Sequence, residues 1–164
     1  MRILGIDPGT LKMGVGIISA DHGDIDFIYS GVLTPKRGNP ISERLHYIYE
    51  QLLITIEDWS PLEVAIEKPF ASRNIRTAMA IGQAEAVAMV AAAHHDLPVF
   101  SYAPRKVKQA ITDYGGSSKE QVQDMVKTLL GIQEISGSYD ASDALAVAIC
   151  HSNTHLAEHL QIND

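Results

Sequence analysis

Ile3-Leu4-Gly5-Ile6-Asp7-Pro8-Gly9, almost at the start of the chain, is the stretch on which the fold turns. Apolar residues around one glycine in so short a run read as a buried strand, and Pro8-Gly9 closes it as a turn. The strand ends in an acid, and a carboxylate there stands at the rim of a sheet, partly out of water. Working outward, residues 11–19 read as the returning strand, Asp21-His22-Gly23-Asp24 as a second turn and 26–33 as a third strand, together an antiparallel meander. After a loop over 35–40, Asn39 is placed to cap a helix with Pro40 at its first position. Ile41, Leu45, Ile48, Leu52 and Ile56 then keep helical spacing on one face. Residues 62–67 form a fourth strand, which again ends in an acid, Glu67. An alanine-rich helix over 73–94, a strand over 97–102 and helices over 104–114, 118–130 and 139–157 complete the chain, with Gly115-Gly116 and Gly131 as breaks. This order predicts an α/β protein with a mixed five-stranded sheet and helices on both faces.

A chain of 164 residues can bury a core without disulfides or structural metal. One domain is expected over 1–157, with 158–164 as a C-terminal tail. The single cysteine, Cys150, excludes an intrachain disulfide and fits a reducing compartment. No secretory leader is expected, and the longest apolar run, 86–93, is far short of the ~20 residues of a membrane span. A cytoplasmic protein with no membrane partner is the expectation. The net charge of −7 argues against nucleic acid at first sight, but its distribution weakens the objection. Residues 68–127 carry eight basic and five acidic side chains, so a positive face can sit on an acidic body. Random asymmetry of a solvated surface explains the charge pattern equally well.

Asp7 and Glu67 end buried strands, and Asp140 and Asp143 stand three apart at the start of the last helix, on one face of it. Four converging carboxylates repel one another and resist desolvation. A divalent cation resolves that conflict, and an oxygen-rich site suits Mg²⁺ or Mn²⁺. Two such ions ~3.5–4 Å apart can hold the attacking and leaving oxygens of an in-line phosphoryl displacement. Each acid has a structural alternative when taken alone. Asp140 can cap the last helix, Asp143 can be a first-turn charge, Asp7 can form a turn, and Glu67 can pair with Lys68 or Arg73.

The ordered motifs add to this pattern. Ile3-Leu4-Gly5-Ile6-Asp7-Pro8-Gly9-Thr10, Ala65-Ile66-Glu67-Lys68-Pro69-Phe70, Gly82-Gln83-Ala84, Arg105-Lys106-Val107-Lys108-Gln109-Ala110, Ser118-Lys119-Glu120-Gln121-Val122 and Asp140-Ala141-Ser142-Asp143-Ala144-Leu145-Ala146 resemble, in order, the segments of RuvC-type Holliday junction resolvases. The resemblance runs from residue 1 to about 155 and implies an RNase H-like fold. It implies a structure-specific endodeoxyribonuclease that resolves four-way DNA junctions by paired symmetric nicks during recombination and repair. It carries metal-ligand roles onto Asp7, Glu67, Asp140 and Asp143, with Mg²⁺ or Mn²⁺ as cofactor, two ions per site. Lys108 and Lys119 are implied near the scissile phosphates, with Lys119 helping catalysis by stabilising transition-state charge. Phe70 is implied as an aromatic that stacks on an unpaired base, and Arg73, Arg76, Arg105 and Lys106 as further DNA contacts. A homodimer is implied, offering two sites to a two-fold junction, with a branch-migration motor complex as a further partner by analogy. Pro69 and the acidic or neutral tail depart from the family pattern.

Other features have plainer readings. Ala78, Ala80, Ala84, Ala88 and Ala91 let the long helix approach either a partner helix or its own sheet. His151 and His155 are spaced i, i+4 like a metal pair but have no third ligand visible in the sequence. Cys150 reads as a small buried side chain. Three rival functions share parts of the pattern. An actin or sugar-kinase type ATPase needs a second domain and a glycine-rich adenosine site. A different RNase H-like nuclease uses the same metal chemistry on RNA–DNA hybrids or structured RNA. A nonenzymatic junction binder has no need of mutually repelling acids.

Overall fold

The computed structural model describes residues 1–69 and 74–162. Its strands are β1 (Arg2–Asp7), β2 (Met13–Asp21), β3 (Asp24–Leu33), β4 (Glu63–Glu67) and β5 (Val99–Tyr102). Its helices are α1 (Ile41–Trp59), α2 (Ile75–His94), α3 (Pro104–Thr112), α4 (Lys119–Leu130) and α5 (Tyr139–Ile162). The five strands form one sheet in the order β3-β2-β1-β4-β5. β2 runs antiparallel to β1 and β3, while β4 lies parallel to β1 and β5 parallel to β4. β1 takes the middle because it has an apolar residue or a glycine for each face along almost its whole length.

Alternation along the strands divides the core in two. Ile3, Ile18 and Ala65 face Val107 and Ile111 of α3, Val122 and Val126 of α4, and the buried run Leu145–Cys150 of α5. Leu4, Ile6, Val15, Ile17, Val64 and Ile66 face Ile48, Leu52 and Ile56 of α1 and Ala84, Ala88, Ala91 and Ala92 of α2. Each fully buried Ile or Leu contributes roughly 1.5–3 kcal/mol of transfer free energy. α5 is apolar nearly all round from Ala144 to Cys150, as a helix enclosed by sheet and neighbouring helices must be.

Two glycines let α5 come very close to the sheet. A Cβ at Gly5 would lie 2.0 Å from the Ala144 carbonyl oxygen, and one at Gly14 would lie 1.9 Å from that of Asp140. The absent side chains therefore set the height at which Asp140 and Asp143 meet the strand ends.

The elements differ from their expected bounds in a few places. β2 and β3 extend to Asp21 and Asp24 because His22 and Gly23 alone make the turn, both at positive φ. Pro40, not Asn39, occupies the N-cap of α1, and no side chain caps it. Proline's extended ψ of 153° ends the loop one residue later than the sequence suggests. α5 continues past residue 157 to Ile162. Among the described residues, no helix is long and apolar enough to cross a membrane.

Candidate active site

The parallel pairing of β1 with β4 puts their carboxyl ends at one edge of the sheet. The register Ile6↔Ile66 sets the following residues, Asp7 and Glu67, beside each other. Asp7 lies two residues beyond Gly5 and Glu67 two beyond Ala65, so both face the side covered by α5. The start of α5 supplies Asp140 and Asp143, and the start of α4 supplies Lys119. A cleft of about 280 Å³ results, lined by Asp7, Glu67, Asp143, Lys68, Lys108 and Lys119 among others.

The electrostatics follow from that crowding. Burial, then the charges of Glu67, Asp143 and Asp140, push the Asp7 carboxyl up to about 8, against the opposing pull of Lys119. Burial and Asp143 push Glu67 up to about 7, with Lys119 and Lys108 opposing. Lys119 Nζ donates to Asp143 Oδ2 at 2.9 Å. Partial burial is the largest influence on that ammonium and lowers its pKa, but the bond to Asp143 and the charges of Asp143, Asp7 and Asp140 together raise it. Lys119 is also the first residue of α4, where the helix dipole disfavours a cation. A capping box between Ser118 and Gln121 holds that helix start nonetheless.

Three of the four sequence-derived acids therefore line the cleft, and the fourth adjoins it. Asp140 accepts a hydrogen bond from Ser138 Oγ, yet its charge still acts on Asp7. Among the described residues no three acid, imidazole or thiol groups are grouped so as to hold an ion; in the cleft, Asp140 accepts from Ser138 and Asp143 from Lys119. The donor set fits a hard divalent cation all the same. It consists of carboxylate oxygens, two of them on acids whose proton affinity is raised by burial and by the neighbouring carboxylates, a strain that a cation would relieve.

Of the basic residues read from the sequence, Lys108 and Lys119 line the cleft. Lys108 Nζ donates to the Ser117 carbonyl at 2.7 Å and so ties α3 to the start of α4. Lys106 lies over the Tyr102 ring, 5.0 Å from its centroid, and the Arg105 side chain packs along Gly115. Phe70 and Arg73 lie outside the described residues. Arg76 lines a neighbouring cleft with Lys12 and Arg37, which has no acid in its walls and shares Ile81 with the first. Sequence reasoning missed Lys12 and Arg37, and counted Lys68 in the positive stretch without placing it at the site. The signal for Lys12 and Lys68 was their closeness in the chain to the strand-end acids.

Much of the expected alanine stripe packs within the chain. Ala84, Ala88 and Ala91 are buried against the chain's own sheet and α1. The exposed stripe of α2 consists instead of Ile75, Met79, Ala86 and Val90. Cys150 is fully buried, and burial pushes its thiol up to about 11, which suits packing.

A mixed sheet with acids at adjacent parallel strand ends, faced by a helix that brings further acids, defines an RNase H-like nuclease. Residues 3–151 match the family model described as crossover junction endodeoxyribonuclease RuvC, and the chain belongs to that family. A crossover junction endodeoxyribonuclease RuvC of Dehalococcoides mccartyi is 52% identical over 151 residues, covering 92% of this chain and 90% of the relative. That of Chloroflexus aurantiacus is 46% identical over 154 residues, covering 94% of both. The structure of T. thermophilus RuvC in complex with a Holliday junction substrate matches with a TM-score of 0.90 at 31% identity, covering 96% of each chain. The yeast mitochondrial Holliday junction resolvase Ydc2 shares the fold, with a TM-score of 0.64 at 13% identity.

Proposed function

We propose that this protein resolves four-way DNA junctions by hydrolysing phosphodiesters in its acid-lined cleft, as an Mg²⁺- or Mn²⁺-dependent endonuclease with two ions per site. The observation that carries the chemistry is the pair Asp7 and Glu67, whose carboxyls are pushed up to about 8 and about 7 where buried like charges meet. Family membership supports the substrate. Asp7, Glu67, Asp140 and Asp143 are the proposed ligands. Divalent cations bound there would activate a water as nucleophile and stabilise the departing 3′ oxyanion. Lys119, oriented by Asp143, sets a positive charge in the cleft wall where negative charge builds on the phosphate. Lys108 supports it from α3.

Strand binding extends beyond the cleft. Arg76, with Lys12 and Arg37, offers a path for backbone phosphates beside the acids. Arg105 and Lys106 on α3, and Phe70 and Arg73 before α2, complete the proposed DNA contacts. The exposed apolar stripe of α2 supports a homodimer, which would present two clefts for paired nicks. A branch-migration motor as a further partner, and the cytoplasm as the setting, rest on family analogy.

The decisive experiment is cleavage of a synthetic four-way junction in Mg²⁺ or Mn²⁺, with Asp7→Asn in parallel and duplex and RNA–DNA hybrid as controls. Symmetric nicks in the junction alone, lost in Asp7→Asn with binding kept, are expected. Cleavage of the hybrid instead would keep the chemistry and discard the substrate. Binding without cleavage in either metal would make the protein a junction-binding module.

A further inference from the structure

The turn between α3 and α4 holds an aromatic side chain that the proposed chemistry leaves unused. Tyr114 is 69% exposed, the most open of the described Phe, Tyr and Trp side chains, with Tyr139 next at 40%. The sequence reads residue 114 as the end of a helix, but α3 stops at Thr112 and Asp113 caps it in the left-handed region, at a φ of 60°. Tyr114 therefore stands on a turn, and the turn is firmly bonded. Its carbonyl accepts from Ser117 N at 3.2 Å and from Ser117 Oγ at 2.9 Å. Ser117 is buried, and its own carbonyl accepts from Lys108 Nζ at 2.7 Å. Two glycines let side chains lie directly on the backbone of this turn. A Cβ at Gly116 would stand 2.7 Å from Tyr114 Cζ and Oη, and one at Gly115 would stand 2.6 Å from Arg105 Cγ. The outer edge of the Tyr114 ring thus rests on Gly116, with the Arg105 stem on the adjacent Gly115, and the rest of the ring is open to solvent.

We propose that Tyr114 is a stacking platform for an unpaired nucleobase of the strand that passes the acid cleft on its α3–α4 side. The inference rests on the reading of that cleft as a site for branched DNA. Continuity with the cleft is built into the turn. Lys108, which holds Ser117, and Lys119, two residues beyond Ser117, both line the cleft wall. A strand whose phosphates meet these two ammonium groups runs beside the turn, with Arg105 as a third cation along its path. Asp113 and Glu120 are also exposed at the turn, which disfavours a phosphate over the ring and leaves an uncharged base as the group that fits it. A paired base shows only its edges, whereas an unstacked base offers a whole face. The platform therefore selects unpaired nucleotides such as those at a crossover, and it tolerates any sequence because every base has a π-face. The hydrogen-bonded turn already fixes the backbone that carries the ring, so stacking costs little ordering entropy. Contact with Gly116 accounts for one edge of the ring but not for an open face held next to three cations.

The test titrates the full chain and its Tyr114→Trp, Tyr114→Phe and Tyr114→Ala variants with a synthetic four-way junction and with a blunt duplex. Chelator is present so that no strand is cut, and both DNAs are carried to saturation. The one native tryptophan, Trp59, is stacked on Tyr29 in α1, and the parent's emission supplies the baseline. The indole introduced by Tyr114→Trp should be quenched by the junction and not by the duplex, a signal that a merely structural tyrosine would not give. Tyr114→Ala should weaken junction binding by about tenfold, the usual effect of losing one base–aromatic stack. Tyr114→Phe should keep the parent's affinity, because the ring and not the hydroxyl makes the contact. Circular dichroism checks that the variants remain folded. Equal quenching by junction and duplex, or an unchanged affinity in Tyr114→Ala, would overturn the proposal while the parent's junction binding left the functional reading standing. A parent that binds no junction would sink both.

Discussion

Asp7 keeps its proton near neutral pH until positive charge arrives. Its folded pKa of about 8 stands above the ordinary 3.8, and that of Glu67, about 7, above 4.5. A raised carboxyl pKa means that the folded state holds protons the unfolded chain has released. The metal-free protein therefore loses stability as pH rises from about 4 to about 8. Asp7→Asn removes the larger part of that loss. Thermal unfolding in chelator should show a midpoint that falls between pH 5.5 and 8.5 in the parent and falls less in the variant. An identical fall in both would mean that Asp7 is not the strained group. Mg²⁺ or Mn²⁺ should raise the parent's midpoint more at pH 8 than at pH 6, because the ion must displace fewer protons there. Lys119 gives a second prediction at this scale. Lys119→Met should lower kcat by on the order of 10²–10³, the usual cost of one preorganised electrostatic group, while junction affinity changes little. An equal loss in both would assign Lys119 to binding alone.

The sheet and α5 work as a pair, and Gly14 is where the pair is most easily broken. An added methyl there would meet the Asp140 carbonyl at 1.9 Å, so Gly14→Ala must lift the first turn of α5 away from β2. The expected cost is ~1–3 kcal/mol, as in overpacked cores, read from urea unfolding. Junction cleavage should fall further than stability accounts for, because Asp140 and Asp143 ride on the displaced turn. The start of α4 offers a milder perturbation. Ser118→Ala removes the capping bond to Gln121 N and should cost ~1 kcal/mol, measured in the same way. It also loosens the helix end that carries Lys119.

At the level of the whole molecule, DNA must be held by a chain of net charge −7. The proposed contacts supply the attraction: Lys68, Lys108 and Lys119 line one cleft, Lys12, Arg37 and Arg76 the other, and Arg73, Arg105 and Lys106 add to them. Junction binding should weaken as salt rises, because each phosphate contact releases counterions, with a moderate slope from so few cations. Removing Lys12 and Arg37 together should lower that slope by ~2 while leaving metal binding untouched. A Kd that does not change between low and physiological salt would rule out this electrostatic path. The exposed apolar stripe of α2 belongs to the same scale. If the stripe forms the proposed dimer, Met79→Glu should shift sedimentation from dimer to monomer and uncouple the paired nicks, whereas an unchanged sedimentation coefficient would place the interface elsewhere.

The sequence by itself determined most of the elements and the acids among them. Hydrophobic period is a local property, so a short apolar run closed by Asp7 or Glu67 declares both the strand and the rim position. Three-residue spacing likewise declares that Asp140 and Asp143 share a helical face. Where the one-dimensional pattern ran out, the cause was strand register. Lys12, Arg37 and Arg76 are far apart in the chain and meet only because the loops at one edge of the sheet converge with the start of α2. The alanines of α2 could serve its own sheet or a partner, and only packing sent Ala84, Ala88 and Ala91 inward. Glu63 lies 88 residues from His151 and reaches it because α5 crosses β4 at that point. Spacing along one element is written in the sequence, whereas proximity between elements is set by sheet order and by the close approach that Gly5 and Gly14 allow.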